Sequence, residues 1–432
     1  MTKGRPTEAQ PTATGYTQPM LTLISLVACD APRPVADISD PADAPSVVWY
    51  GDVEPIVEES CSGCHVAGGV GGFALDSYES AAPMAASMAA AVEAKTMPPW
   101  KASADCADYR DDISLSDGEI GRIAAWAVEG AAEGDKGESI HAPPPAASLS
   151  RVDETLTLPL PYTPVSTPDD YRCFLVDWPV DHSTYVTGYI VKPGVPSIVH
   201  HLIAYIATPG QVEEYEALEA ADDLPGWSCF GGPGLGSQAD AEWLGAWAPG
   251  ATSGDFPNGV GIKMEPGSKV VLQMHYNMAS GEVLADQTTV DVRIEDEVES
   301  PASIQPWADP AWLDGSGMRI RAGAVGKEHS FSYVLSSRTD ITVHTSSLHM
   351  HKLGRTANLT IEHKSGDDEC LLDIQDWDFD WQRTYVFEEP KTLYKGDTLT
   401  VRCTWDNPTD EDVNWGEGTA DEMCLGTLLV SY

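Results

Sequence analysis

From residue 151 onward the chain is written in period two. "TYVTGYIV" (184–191), "SKVVLQMHYN" (268–277), "TTVDVRI" (288–294), "DITVHTSSLHMH" (340–351), "ANLTIEH" (357–363) and "DTLTVRCTW" (397–405) alternate, are rich in Val, Thr and Tyr, and are separated by Pro, Gly and Asp turns. Successive side chains of a strand point to opposite faces, so such runs predict many short strands, each with one buried face. The length of the region suits two antiparallel β-sandwiches, jelly-roll-like, better than one, with boundaries at 151–305 and 306–432.

Upstream the pattern changes. Residues 46–135 are Ala-rich, and "YESAAPMAASMAAAVEAKTM" (78–97) is a helix candidate with few β-branched residues. In "LSDGEIGRIAAWAVEGA" (115–131) Ser116 stands three residues before Glu119, the spacing of a capping box, and Ile120, Ile123, Ala124 and Ala127 share a face. This predicts a small all-α domain, joined to the β region by a Pro-rich linker at 136–150. Residues 1–45 form a leader and tether. The apolar run "MLTLISLVACD" (20–30) looks like a bacterial lipoprotein signal, with Cys29 as the residue that would carry lipid, although the segment before it is polar rather than basic. That implies an exported chain, periplasmic or at the cell surface, held at a membrane only by a lipid anchor, since no run approaches the 18 apolar residues of a spanning helix.

Two sets of side chains carry chemistry. In the helical segment, Cys61-Ser-Gly-Cys64-His65 is C-x-x-C-H: two thiols spaced to add to the vinyl groups of a haem, and an imidazole placed to reach its iron. A disulfide beside an incidental His is the competing reading. Met97, before Pro98-Pro99, is the candidate second axial ligand, and a late Met-Pro in that position resembles the small c-type cytochromes; Met84 and Met88, in a helix, suit packing. In the β region stand His200-His201, His275, His349-Met350-His351 and Met423. Imidazole suits Cu(II) and thioether suits Cu(I), so the mixed set suits copper, with zinc as the rival for the histidines alone. His349 and His351, two apart on a strand, point to one face. His200 and His201 are consecutive and serve one metal only at a bend or bulge, or through different ring nitrogens.

At this point the β region resembles the copper type II, ascorbate-dependent monooxygenases, the family of the peptidylglycine α-hydroxylating and dopamine β-monooxygenases. The resemblance runs in order through "YRCF" (171–174), "VHHLIAY" (199–205), "GWSC" (226–229), "AWAPG" (246–250), "GSKVVLQMHYN" (267–277), "HMHKLG" (349–354), "VRCTWDNP" (401–408) and "DEMC" (421–424). It implies that His200, His201 and His275 hold an electron-relaying copper, and that His349, His351 and Met423 hold a catalytic copper that activates O₂. It implies one copper per sandwich, facing across an open cleft, disulfides Cys173–Cys229 and Cys403–Cys424, and Gln273 orienting the cleft. Cys370 has no counterpart and either pairs with Cys106 or stays free. Where the peptide-amidating enzyme grips its substrate carboxylate with Arg, this chain has Ser347, and Leu425 and Thr427 replace an Asn and a Tyr, so an anionic peptide terminus is a poor substrate expectation. His182, His344 and His363 match no ligand; His344 lies near the second copper set but suits a surface or core role. Trp377, Phe379 and Trp381, alternating in "DWDFDWQRTY" (376–385), suit the core face of a strand.

The expected activity is hydroxylation of an sp³ carbon of a small organic substrate with O₂. Electrons would arrive through the haem, from ascorbate, or from a redox partner that donates to the haem. The competing class is an exported copper and haem electron carrier with no oxygenase activity. Lys+Arg 25 against Asp+Glu 67, a net charge of −42, excludes nucleic acid as a partner.

Overall fold

A computed structural model describes residues 46–67, 71–137, 149–236, 241–248, 254–278, 281, 283–313 and 317–432. The leader with Cys29, the tether and most of the 136–150 linker lie outside these residues. Among the described residues no helix is long and apolar enough to cross a membrane.

The helical segment is built from α1 (Glu54–Ser60), α2 (Ala85–Glu93) and α3 (Asp117–Val128). The capping box at α3 is present: Ser116 Oγ accepts from Glu119 N, and the Ser116 backbone N–H donates to Glu119 Oε2 at 2.8 Å. The face that α3 buries is centred on Ile123 and Trp126. Trp126 stands outside the aliphatic pattern, packs against Trp49 at 5.5 Å, and donates from Nε1 to the Ala132 carbonyl. The helix expected over 78–97 is broken: Tyr78–Ala81 is one turn, Ala82–Met84 is a 3₁₀ turn carrying Pro83, and α2 starts at Ala85. Proline has no N–H for the helix ladder and its ring clashes with the preceding turn. Met88 is buried in this core beside Val57, Leu75 and Val92.

The rest is mainly β, as the alternation predicts. In the first sandwich the sheet that matters is β3 (Glu242–Trp247), β2 (Val199–Ala207), β4 (Lys269–Asn277) and β1 (Asp169–Asp177), in that order. Its inner face, with Phe174, Leu202, Ala204, Leu272 and Met274, packs on the strands Thr184–Lys192, Val260–Met264 and Thr289–Glu295. β5 (Ser300–Trp307) pairs with β3 on one edge and with β12 (Leu425–Ser431) on the other, so hydrogen bonding runs unbroken into the C-terminal region. There β12 continues to β7 (Ile341–His349) and β10 (Thr384–Leu393), and this sheet faces a second one made of β6 (Lys327–Val334), β11 (Thr398–Trp405), β8 (Gly354–Glu362) and β9 (Asp368–Ile374).

Between α2 and α3 the chain leaves the helical segment and adds itself to the C-terminal sheets. Ala102 bridges to Ile374 and Tyr109 to Phe387, and Tyr109 Oη donates to the Leu371 carbonyl at 2.8 Å. Cys106 is bonded to Cys370. With Cys173–Cys229 and Cys403–Cys424 this makes three disulfides among the described residues, the mark of a chain that folds in an oxidising compartment.

One strand reading is corrected. Residues 375–383 are a loop between β9 and β10 and not a strand. Asp376, Asp378 and Asp380 alternate with the aromatics and favour turns, so only Trp377 enters the core, donating from Nε1 to the His351 carbonyl. Phe379 and Trp381 are only half-buried. Phe379 goes to the histidine clusters, as described next.

Candidate metal centres

The first cluster is made by a bulge. β2 and β4 run antiparallel with Val199 opposite Tyr276 and His201 opposite His275, so one residue of β2, His200, is extra. An extra residue bends the strand and turns both neighbouring side chains to one side. The ligand atoms of His200, His201 and His275 lie within 4.8 Å of one another. His201 Nδ1 stands 3.3 Å from His200 Nδ1 and 3.3 Å from His275 Nδ1. Three nitrogens converging on one point fit a single ion.

Asp169, which the sequence did not reveal, fixes the third ring. His275 Nε2 donates to Asp169 Oδ1 at 2.9 Å, leaving Nδ1 for a metal. Burial works against the charge of Asp169, yet hydrogen bonds from His275, Thr419 and Asn277 hold its carboxyl well below the usual carboxylate range. Tyr171 stacks on His275 at 4.1 Å. Burial lowers His201 well below the ordinary imidazole value and takes His200 down to about 3. The rings are therefore held neutral, the form a metal needs.

The second cluster sits where β7 ends. His349 and His351 have ring centroids 5.1 Å apart, and Met423 lines the same cavity. Each imidazole spends its Nδ1 on the protein: His349 on Gln382 Oε1 at 2.5 Å, His351 on the Asp421 carbonyl at 2.9 Å. Both are left with Nε2 for a ligand. Glu422 ties the two chain segments together, since its carboxyl accepts from the backbone N–H groups of His351 and Leu353 and from Trp405 Nε1. The Cys403–Cys424 bridge fixes the residue on the other side of Met423. A soft thioether beside two imidazoles is a donor set for copper.

His201 of the first cluster and His349, His351 and Met423 of the second line one cavity of about 110 Å³, with Trp243 and Trp247. That is room for a small molecule, given that a water takes roughly 10–15 Å³ on the same measure. The resemblance implied an open cleft, but here the ring of Phe379 stands between the clusters, 5.1 Å from His200 and 6.0 Å from His351. On the cavity wall Ser347 and Thr427, opposite each other across β7 and β12, share a hydrogen bond. Gln273 is fully buried and touches no ligand: it accepts from Tyr205 Oη and donates to the carbonyls of Cys229 and Gly232. Its contacts brace the loop whose Gly231 N–H reaches Glu417 Oε2 at 2.8 Å.

Glu417 also lines the cavity, and burial pushes its carboxyl up to about 7 against the opposing Gly231 hydrogen bond. A carboxyl raised in the fold keeps a proton that the unfolded chain gives up near pH ~4.5. Stability is therefore present below that pH and is lost as pH rises through about 7, by about 3 kcal/mol for this group. Urea titrations of the copper-free protein at pH 5 and 8 should show a smaller pH difference for Glu417→Gln than for the parent; identical differences would refute a buried neutral Glu417.

The three other histidines of the β region that match no ligand in the sequence stand apart. His344 is buried with Nε2 on Ser431 Oγ, His182 is exposed between Asp181 and Asp296, and His363 is held by Asp397 and Glu369.

The C-x-x-C-H turn extends α1. Cys64 N and His65 N both donate to the Cys61 carbonyl, which sets Cys61, Cys64 and His65 on one face at i, i+3 and i+4. Both thiols are free. His65 Nδ1 lies 3.3 Å from the Phe73 carbonyl and its ring packs on Phe73, so Nε2 is the nitrogen left to bind iron. That arrangement fits a covalent haem. Met97 is half-buried beyond the end of α2. Three residues later, Trp100 lies under the Arg383 guanidinium at 4.8 Å, and Arg383 lines the copper-type cavity.

Residues 325–430 match the family model described as copper type II ascorbate-dependent monooxygenase, C-terminal domain. Two Xenopus laevis proteins, peptidyl-glycine alpha-amidating monooxygenase B and A, are similar at 26% identity over 299 residues and 25% over 295 residues, each covering 67% of this chain. These alignments cover 31% and 29% of the two relatives, so the chain spans about a third of their length. The Gallus gallus DBH-like monooxygenase protein 1 is 32% identical over 84 residues, 19% of this chain and 14% of that one. The chain is thus similar over two thirds of its length to two peptidyl-glycine alpha-amidating monooxygenases, and residues 325–430 match the C-terminal domain of the copper type II monooxygenases.

Proposed function

We propose that this chain is an exported, copper-dependent monooxygenase that hydroxylates an sp³ C–H bond of a small organic substrate with O₂. The observation that carries the reading is a three-imidazole cluster whose His201 lines the same small cavity as two further imidazoles and a thioether. His200, His201 and His275 would hold one copper, and His349, His351 and Met423 the other. Together the metals would supply one-electron redox chemistry and O₂ activation.

The chain's own residues do the rest. Asp169 and Gln382 orient imidazoles, and Glu422 fixes the His351 turn to the Met423 segment. Trp243, Trp247 and Leu425 give the cavity apolar walls that exclude water from the reacting carbon, while Ser347 and Thr427 offer hydroxyls to a polar substituent. With Ser347 where the amidating enzyme has Arg, we do not assign a peptide carboxylate as the substrate group. A haem attached at Cys61 and Cys64, with His65 and Met97 as axial ligands, would supply electrons, replacing or supplementing ascorbate. The haem would be charged by a redox partner. Cys29 would carry a lipid that tethers the protein in a bacterial periplasm or at the cell surface.

The test is element analysis of protein matured in a haem-loading periplasm, followed by O₂ uptake with ascorbate. Two coppers and one iron per chain, with copper-dependent uptake matched by hydroxylated product in a substrate screen, is the expected result. Metals bound without uptake would overturn the oxygenase and leave an electron carrier.

A further inference from the structure

We propose that the loop 375–383 is the electron conduit of this chain, joining the haem motif to the His349–His351 centre and that centre to the His200–His201–His275 centre. The proposal rests on the haem and two-copper reading above. The loop touches both histidine clusters and, on the side of the helical segment, Trp100. At its C-terminal end Arg383 lies 4.8 Å over the ring of Trp100, three residues after Met97. Trp100 is itself packed edge-on to Tyr385 at 5.0 Å, so it is seated against the start of β10 rather than hanging in solvent. One residue before Arg383, Gln382 Oε1 is 2.5 Å from His349 Nδ1. At the loop's apex Phe379 stacks on His200 at 5.1 Å and meets His351 edge-on at 6.0 Å.

Electron tunnelling decays more slowly through covalent bonds, hydrogen bonds and packed rings than across a gap. The path Trp100, Arg383, Gln382, His349 has one ring–guanidinium contact, one peptide link and one hydrogen bond. The path His351, Phe379, His200 has a single ring between two imidazoles. The helical segment is held in register for this by the residues that follow Trp100: Ser103 N donates to the Asp373 carbonyl, Arg110 N to the Val386 carbonyl, and Cys106 is bonded to Cys370. A bridge that fixes a cytochrome-like segment beside the loop favours transfer within the chain over diffusional encounter.

The geometry sets an order. With haem and copper bound, the Trp100–Arg383–Gln382 path would deliver an electron to the His349–His351–Met423 centre first, the haem iron going from II to III and that copper from II to I. Phe379 would then carry the next electron to the three-histidine centre. A one-electron donor, an organic reductant such as ascorbate or a redox protein, restores the haem each time. Two such passages, with O₂, two protons and the substrate C–H, balance to one alcohol and one water.

The experiment uses the full chain, with covalent haem verified as the pyridine haemochrome and copper by element analysis. Anaerobic mixing with excess ascorbate, enough for one electron at the haem and one at each copper, is followed by the haem α-band and by freeze-quench electron paramagnetic resonance of the two Cu(II) signals. In the parent the signal lost first belongs to the centre that Met423→Leu perturbs. Phe379→Leu should slow loss of the second signal at least tenfold and leave the first within twofold. Trp100→Leu should slow haem reoxidation at least tenfold, with Trp100→Phe restoring it. Simultaneous loss of both signals, or loss from the three-histidine centre first, overturns the order; an unchanged second phase in Phe379→Leu overturns the conduit. If no haemochrome forms, the haem reading and the Trp100 arm fall together. The Phe379 arm is then decided by the same two signals with ascorbate reducing the copper directly.

Discussion

Met423→Ala is expected to lower kcat/KM for hydroxylation by at least a hundredfold, about 2.7 kcal/mol of transition-state stabilisation. The haem spectrum and the copper of the three-histidine cluster should be retained. The thioether is buried at 5% exposure in the wall of the cavity that holds His349 and His351. Its backbone is set from both sides, by Glu422 on the His351 turn and by Cys424 on Cys403. So much support for a methionine indicates that its position matters and not only its bulk. Alanine removes two things at once, the sulfur and the volume, and a buried Met→Ala change costs about 2–5 kcal/mol of fold stability by itself. Met423→Leu separates them, since it keeps the volume at a cost below about 1.5 kcal/mol and lacks the donor. The Leu variant should melt close to the parent and be as inactive as the Ala variant. Turnover retained by Leu but lost in Ala would make Met423 a packing residue.

What the sequence displays follows from which constraints are local. Alternation exposes strands because it is a property of neighbours, and it located the strands that carry His201, His275 and His349. The ligand histidines are legible for a related reason. A pair separated by one residue on a strand, or by none at a bulge, is a short-range pattern. The groups that aim those ligands are not legible. Asp169 acts on a histidine 106 residues away and Gln382 on one 33 residues away, and nothing in their own surroundings marks them. The place of Phe379 is hidden because "DWDFDWQR" mimics strand alternation. The acidic residues that alternate with the rings turn the chain instead, which frees one ring for the space between the metal clusters. The helical segment shows the same limit. Ser116 and Glu119 announce the start of α3, but nothing near residues 100–110 says that they complete sheets more than 260 residues downstream, as the separation of 264 between Cys106 and Cys370 records.

That bridge gives the second large effect. Replacing both Cys106 and Cys370 with serine is expected to cost about 5 kcal/mol in the chain-entropy account, because the loop it closes is long. The cost should appear as a lower urea midpoint and not as undocking in native buffer. The same segment is held by other means: Tyr109 stacks on Phe387 at 5.6 Å and bonds the Leu371 carbonyl, Glu388 N donates to the Asp108 carbonyl, and Lys101 lies between Asp376 and Asp378. Each hydrogen bond is worth about 1 kcal/mol net and the exposed ion pairs less, so these contacts rival the bridge in size but act only in the folded state. The crosslink acts mainly on the unfolded state, whose freedom it restricts. The two contributions therefore separate experimentally. Limited proteolysis in native buffer should leave the double-serine variant as resistant between α2 and α3 as the parent, while its unfolding midpoint falls. An unchanged midpoint would mean that the helical segment and the C-terminal sandwich unfold as independent units, and cleavage without denaturant would mean that the bridge itself, and not the packing of Tyr109, holds the segment in place.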